Sequence, residues 1–160
     1  MFRLPALRDW AVAGVASLAF AAAALGFGFA TGFFRFEPTG PASALRALAV
    51  AFVLPALLEE VVFRGPLIWL AQRGVTGGRL VLAIALSLAL FVLWHPLNAS
   101  LLLTEARLWF FDWRFLVIAA ALGGVATWLA LRTRSLWPPI IFHWLAVVGW
   151  KELFGGPGLL

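Results

Sequence analysis

The chain contains no cysteine, which excludes disulfides, cysteine-ligated zinc and thiol catalysis and leaves the redox compartment open. It is also poor in charge. Only 12% of its 160 residues are Asp, Glu, Lys or Arg, and only two are His. No basic tract occurs either: the 12 Lys and Arg residues, which give a formal net charge of +5, stand singly or in near pairs. Nucleic acid is therefore not an expected partner, and membrane topology accounts better for the basic bias. Internal repeats and low-complexity tracts are lacking as well. What fills the chain is apolar mass, with 64% hydrophobic residues and a mean hydropathy of +1.01, the composition of an integral membrane protein and not of a soluble domain.

A helix needs roughly 20 apolar residues to cross the hydrocarbon core, and five segments meet or approach that length: residues 10–34, 42–71, 80–103, 115–131 and 136–154. The expected fold is an all-α polytopic membrane bundle of about five transmembrane helices, forming a single membrane-embedded domain over residues 1–160. Loop chemistry separates the segments, in Glu37-Pro38-Thr39-Gly40-Pro41, Gly74 to Gly78, Thr104 to Arg114, and Arg132-Thr133-Arg134-Ser135 ahead of Trp137-Pro138-Pro139. The first segment follows Arg3 and Arg8 as a signal peptide would. It is, however, longer than the usual ~7–15-residue core of such a signal, so it reads as a retained span. The second segment is unusually long, and Pro55, with Gly65-Pro66, predicts kinks in it, because an interior proline lacks a donor and clashes with the preceding turn.

Five spans put the termini on opposite sides. An inside N-terminus collects Arg3, Arg8, Arg73, Arg79, Arg132 and Arg134 on the inner side, against Arg35, Arg46, Arg107, Arg114 and Lys151 outside. Acids carry little weight in this rule, so the bias is narrow. Trp109 and Trp113 on one side, and Trp10 and Trp137 on the other, fall where an interfacial aromatic belt forms.

Against this apolar background stands Glu59-Glu60-Val61-Val62-Phe63-Arg64, an acid pair and an arginine inside the run from Phe52 to Leu70. Charge at bilayer depth is costly and is usually placed only where it pairs or works. Glu60 and Arg64 are four residues apart and share a helix face, so they can pair, while Glu59 is turned about 100° away. Glu59 is thus the freer carboxylate and suits a general base or acid; the plainer alternative is an ion-pair clasp between helices. His95 closes the stretch Leu80 to Trp94. With a turn at Gly77-Gly78, Glu59 lies 18 residues before it and His95 lies 17 after it, so the two reach similar depth on antiparallel neighbours and can share a water. His95 can equally be a helix-end histidine before Pro96, bonded to a free carbonyl. Phe91 is on the His95 face and can wall the pocket or simply pack. His143 lies inside Pro139 to Trp150 but is only about 12 Å from the loop near Ser135, whereas His95 is about 25 Å from Gly78 at ~1.5 Å per residue. That mismatch disappears if the second hairpin projects beyond the bilayer or if Pro138-Pro139 displaces the last helix. Asn98, Ser87, Ser100 and Thr127 read as helix-packing or cap residues.

The ordered set Glu-Glu-x-x-x-Arg at Glu59 to Arg64, Phe-x-x-x-His at Phe91 to His95, and a later histidine at His143 resembles the CPBP (Abi) family of CAAX prenyl endopeptidases and bacteriocin-processing proteins, over about residues 42–154. The resemblance implies a glutamic intramembrane protease. Carried over motif by motif, it implies Glu59 as the base, His95 as its partner in activating water, His143 as a donor to the oxyanion, and Glu60, Arg64 and Phe91 in support. It implies a peptide or protein substrate, prenylated or membrane-bound, no cofactor and no metal, and a multi-pass place in the bacterial cytoplasmic membrane.

One position departs from the pattern. Many family members carry Asn or Asp four residues after the last histidine, where this chain has Val147. On a helix that position shares a face with His143, so a polar donor is missing, and one such donor can be worth on the order of 10²–10³ in rate. Either His143 suffices, Asn98 substitutes, or proteolysis is impaired. The last case motivates a second reading, a nonproteolytic peptide-binding protein (immunity or scaffolding) of the same fold. A transporter or proton relay is disfavoured by the short bundle without paired repeats. Glu59, His95 and His143 offer three metal ligands on paper, but no His-Glu-x-x-His helix is present, which ranks metal-dependent hydrolysis lower.

Overall fold

The computed structural model describes residues 1–157. Helix α1 (Leu7–Ala30) ends where Gly32, at φ +67°, turns the chain, and Phe33 and Phe34 bond back to the Gly28 carbonyl. Helix α2 (Pro41–Ala51) opens on proline, whose missing donor is harmless in a first turn. A π-helical segment, Phe52–Leu57, follows, with Pro55 inside it, and passes directly into α3 (Leu58–Gln72). The kink expected at Pro55 thus takes the form of a wide turn next to the acid pair. At Gly65-Pro66 no such break occurs, and α3 remains one helix to Gln72. Helix α4 (Gly77–Leu101) returns antiparallel to α3. The expected break from Thr104 to Arg114 contains a 3₁₀ turn, Thr104–Ala106, and a short helix α5 (Arg107–Phe110). Asp112 then caps α6 (Trp113–Thr133), accepting from the Arg114 amide at 2.8 Å. The Arg114 side chain holds the Asp112 carboxyl below its ordinary range and also donates to the Thr31 carbonyl at 2.9 Å, fastening the end of α1. Helix α7 (Trp137–Leu153) completes the bundle.

Among the described residues there is no strand, only one isolated bridge between Glu37 and Phe154. Three helices, α1, α4 and α6, are each long and apolar enough to cross a membrane. The other two expected spans are built differently: the second is three stacked pieces joined end to end, and the fifth, α7, has 17 residues. Outward faces of α1 and α4 are leucine and valine, with Leu18 at 74% and Leu90 at 59% exposure, a surface fit for lipid.

Helix α6 lies at the centre, packed on α1, α3, α4 and α7. Its inner face is made of small residues, Ala119, Gly123, Ala126 and Ala130, all buried, which lets neighbouring backbones approach closely. Polar side chains also tie helices together. Ser87 on α4 donates to the Phe63 carbonyl of α3 at 2.6 Å, and Trp144 on α7 donates to the Leu48 carbonyl of α2 at 2.8 Å. Ser100 bonds to the Pro96 carbonyl at 2.7 Å. Asn98 Oδ1 and Thr127 Oγ1, in contrast, are buried without a hydrogen-bond partner among the described residues.

Candidate active site

Glu59, Glu60 and Arg64 occupy the first two turns of α3, immediately after the π-helical segment. Glu60 and Arg64 are fully buried, and Nη1 of Arg64 lies 3.1 Å from Oε1 of Glu60. The N–H does not point along that line, so the contact is an ion pair and not a hydrogen bond. The guanidinium also donates from Nη2 to the Gly123 carbonyl at 3.2 Å, and its Cζ stands 4.1 Å from the centre of the Phe91 ring. A cation on a ring face in a desolvated setting is favourable by about 2 kcal/mol. Phe91 therefore does more than wall a pocket, because it carries the arginine of the clasp.

His143, on α7, joins the acid pair directly. Its Nδ1 is 2.9 Å from Oε1 of Glu60, and its Nε2 is 3.9 Å from Oε2 of Glu59. An ionised carboxylate only accepts, so Nδ1–H donates to Glu60 and Nε2 is the atom turned toward Glu59. The depth mismatch counted from the loop does not hold His143 away. Ser135, Leu136, Pro138 and Pro139 are themselves fully buried, covered by the N-terminal residues: Ser135 Oγ donates to the Arg3 carbonyl at 2.8 Å and the Leu136 amide to the Met1 carbonyl at 2.9 Å. Helix α7 thus starts inside the protein, and counting from a surface loop underestimates its depth.

Glu59 is the less buried member of the pair, its side chain 12% open where that of Glu60 is closed. One of its oxygens, Oε1, accepts from Trp94 Nε1 at 3.2 Å, and the other, Oε2, has no hydrogen-bond partner among the described residues. No hydrogen bond joins Glu59 to His95. The ring of His95 sits instead among Phe91, Phe110 and Phe115, edge to face at 5.1, 5.3 and 5.0 Å, and its Nδ1 is 2.9 Å from the Phe91 carbonyl. A carbonyl can only accept, so Nδ1 carries the proton and, in the neutral ring, Nε2 keeps its lone pair. Phe91 lies between the two imidazoles, 5.1 Å from His95 and 5.9 Å from His143. Among the described residues, no three His, Asp or Glu side chains are grouped as metal ligands would be.

Three contributors were not singled out in the sequence. Trp94 has an apolar context that hides its donor. Phe110 comes from the short α5 in a stretch read as loop. Gly123 is the third: a Cβ there would stand 2.7 Å from Leu88 Cδ1, 2.9 Å from Phe91 Cδ1 and 3.0 Å from Arg64 Nη2. Its one signal in the sequence is a Gly-Gly pair inside an apolar helix. Gly123→Ala is expected to destabilise by about 1–3 kcal/mol, the usual cost of overpacking, and to lower the thermal unfolding midpoint in detergent. Gly124→Ala is the control, because a Cβ at Gly124 meets nothing within 4 Å. Equal midpoints for the two variants would contradict the close approach.

A family model described as type II CAAX prenyl endopeptidase, Rce1-like, matches residues 40–148. The chain belongs to this family. The match contains all three motifs, from Glu59 to His143, and covers α2 through most of α7. As an Rce1-like chain with three membrane-length apolar helices, it is an integral membrane protein of the CAAX protease family. Searches of curated proteins and of solved structures found no match.

Proposed function

We propose that this Rce1-like chain is a glutamic intramembrane endopeptidase that hydrolyses a peptide or protein substrate, prenylated or membrane-bound, in the bacterial cytoplasmic membrane, as a single domain with its core over residues 42–154. The observation that carries the reading is the Glu59 carboxylate, whose Oε2 is buried without a hydrogen-bond partner among the described residues and stands 3.9 Å from His143 Nε2. A water oxygen can lie about 2.8 Å from both atoms at that spacing. Glu59 takes one proton from this water as the oxygen attacks the scissile carbonyl carbon, and His95 Nε2, with its lone pair free, is the second acceptor on the path. The C–N bond then breaks, and the proton held by Glu59 passes to the departing amine.

His143 supports the oxyanion through Nε2–H. With Nδ1–H already given to Glu60, a hydrogen on Nε2 makes the ring an imidazolium. The cluster then holds two anions, Glu59 and Glu60, against two cations, Arg64 and His143, which is the balance a buried group of charges requires. Glu60 and Arg64 organise the site, and Phe91 seats the guanidinium. The test is release of new amino termini from synthetic prenylated peptides by the detergent-purified chain. Release that His143→Ala leaves untouched would contradict the oxyanion role.

The binding-protein reading rests on Val147, half-buried one turn after His143. If the chain is a donor-poor protease, Val147→Asn is expected to raise kcat without lowering KM, because the added bond acts mainly in the transition state. A fall in kcat with the fold preserved would mean that Val147 shapes a site already complete, and no turnover in either form would favour the binder. Chelators are expected to leave turnover unchanged, on the ground that no His-Glu-x-x-His helix is present; reversible loss with rescue by zinc would overturn metal independence.

A further inference from the structure

A groove of about 570 Å³ runs between α4 and α6, outside the acid-pair site, and falls within the ~300–1,000 Å³ range of small-molecule sites. Ile84 and Leu88 form its α4 wall, and Gly124, Thr127, Trp128 and Arg132 form much of its α6 wall; no acidic side chain lines it. Its chemistry changes along its length. Gly124 leaves the deep end open, since nothing lies within 4 Å of where its Cβ would be. At the shallow end the exposed Arg132 guanidinium stands 5.8 Å from the Trp128 ring. Arg79 lies exposed in the first turn of α4, on the side where α6 ends. Gly124 and Arg132 are eight residues apart, about 12 Å at ~1.5 Å per residue, which is a little less than half of the ~30 Å hydrocarbon core.

Thr127 supplies the second, independent observation. It is only 5% exposed, and its hydroxyl has no hydrogen-bond partner among the described residues. A helical threonine ordinarily bonds to the carbonyl four residues earlier. Here that carbonyl, Gly123 O, accepts from Arg64. Thr127, which carries this hydroxyl, lines the groove about 7.5 Å deeper than Arg132, at ~1.5 Å per residue, below the cation and above the apolar floor.

We propose that this groove binds one anionic glycerophospholipid of the leaflet on the arginine side, with its phosphate on Arg132, an ester carbonyl accepting from Thr127 Oγ1, and one acyl chain laid along Leu88 and Gly124. From shallow to deep, a cation beside a tryptophan, a buried donor and an apolar trough match the phosphate, ester and chain of such a lipid. The net positive rim selects for anionic headgroups. This site does not depend on the hydrolase reading, because occupancy requires no turnover.

The test titrates the full-length, detergent-purified chain with phosphatidylglycerol and, separately, phosphatidylcholine, and counts bound lipid by native mass spectrometry. One phosphatidylglycerol is expected to bind about fivefold more tightly than phosphatidylcholine, the effect of one arginine near an anionic headgroup. R132Q is expected to erase that preference, T127V to weaken both lipids about fivefold, as loss of one hydrogen bond does, and G124L to remove the bound lipid with the unfolding midpoint retained. Equal affinity for the two lipids in the wild type, or wild-type binding in R132Q, would overturn the proposal, and R132Q settles it should G124L fail to fold. Displacement of the lipid by a farnesylated peptide that itself loses binding in G124L, with no phosphatidylglycerol preference, would assign the groove to the substrate's prenyl chain instead.

Discussion

Glu59→Gln is expected to lower kcat by about 10²–10⁴-fold, the range for loss of a positioned general base, with expression and unfolding midpoint retained. Glutamine keeps the shape of the side chain and can still accept from Trp94 Nε1, which is 3.2 Å from Oε1 in the wild type, so the fold loses little. What it cannot do is take a proton from water at the unpartnered oxygen. His95→Ala is expected to fall as far, because it removes the second acceptor. Its packing cost differs in kind: His95 is buried among three phenylalanine rings, so the alanine also leaves a cavity. Comparing the two separates chemistry from packing. Wild-type turnover in both variants on a validated peptide would show that water is activated elsewhere.

The second large effect is on stability. Arg64→Ala is expected to destabilise by about 3–5 kcal/mol, because removing one partner of a buried ion pair leaves the other uncompensated. The geometry makes Arg64 the hub of the clasp: it faces Glu60 at 3.1 Å, bonds to the Gly123 carbonyl at 3.2 Å and covers Phe91 at 4.1 Å. Its loss also frees Phe91, which packs on both histidines, so activity falls with the unfolding midpoint. The double variant Glu60→Gln/Arg64→Met is expected to recover part of the midpoint, since a neutral pair of similar volume removes the stranded charge, and to remain inactive. An unchanged midpoint in Arg64→Ala would refute the clasp.

The acid pair, the arginine and the two histidines were legible in the sequence because charge inside an apolar run is costly and therefore informative. The face shared by Glu60 and Arg64 followed from helical spacing alone, and the structure has them 3.1 Å apart. Pro55 marked its irregular turn for the same reason, a missing donor. Gly65-Pro66 gave the same signal, yet α3 runs on through it. Other features depend on contacts that the sequence does not encode locally. His143 reaches Glu60 because the turn before α7 is buried under Met1 to Arg3, a long-range packing fact that depth counting from loops cannot contain. Trp94 and Gly123 act on Glu59 and Arg64 from other helices, and both look like ordinary apolar-span residues. Phe110 sits on His95 because the segment after α4 folds back as a short helix, where the sequence reads as loop.

The most direct measurement of the central claim, that Glu59 activates water for peptide hydrolysis, is digestion of a peptide library by the detergent-purified chain in parallel with its Glu59→Gln variant, with new amino termini identified by mass spectrometry. The account predicts a defined set of new termini with the wild-type chain and none with the variant at equal folded protein. The same termini appearing at the same rate with Glu59→Gln would contradict it.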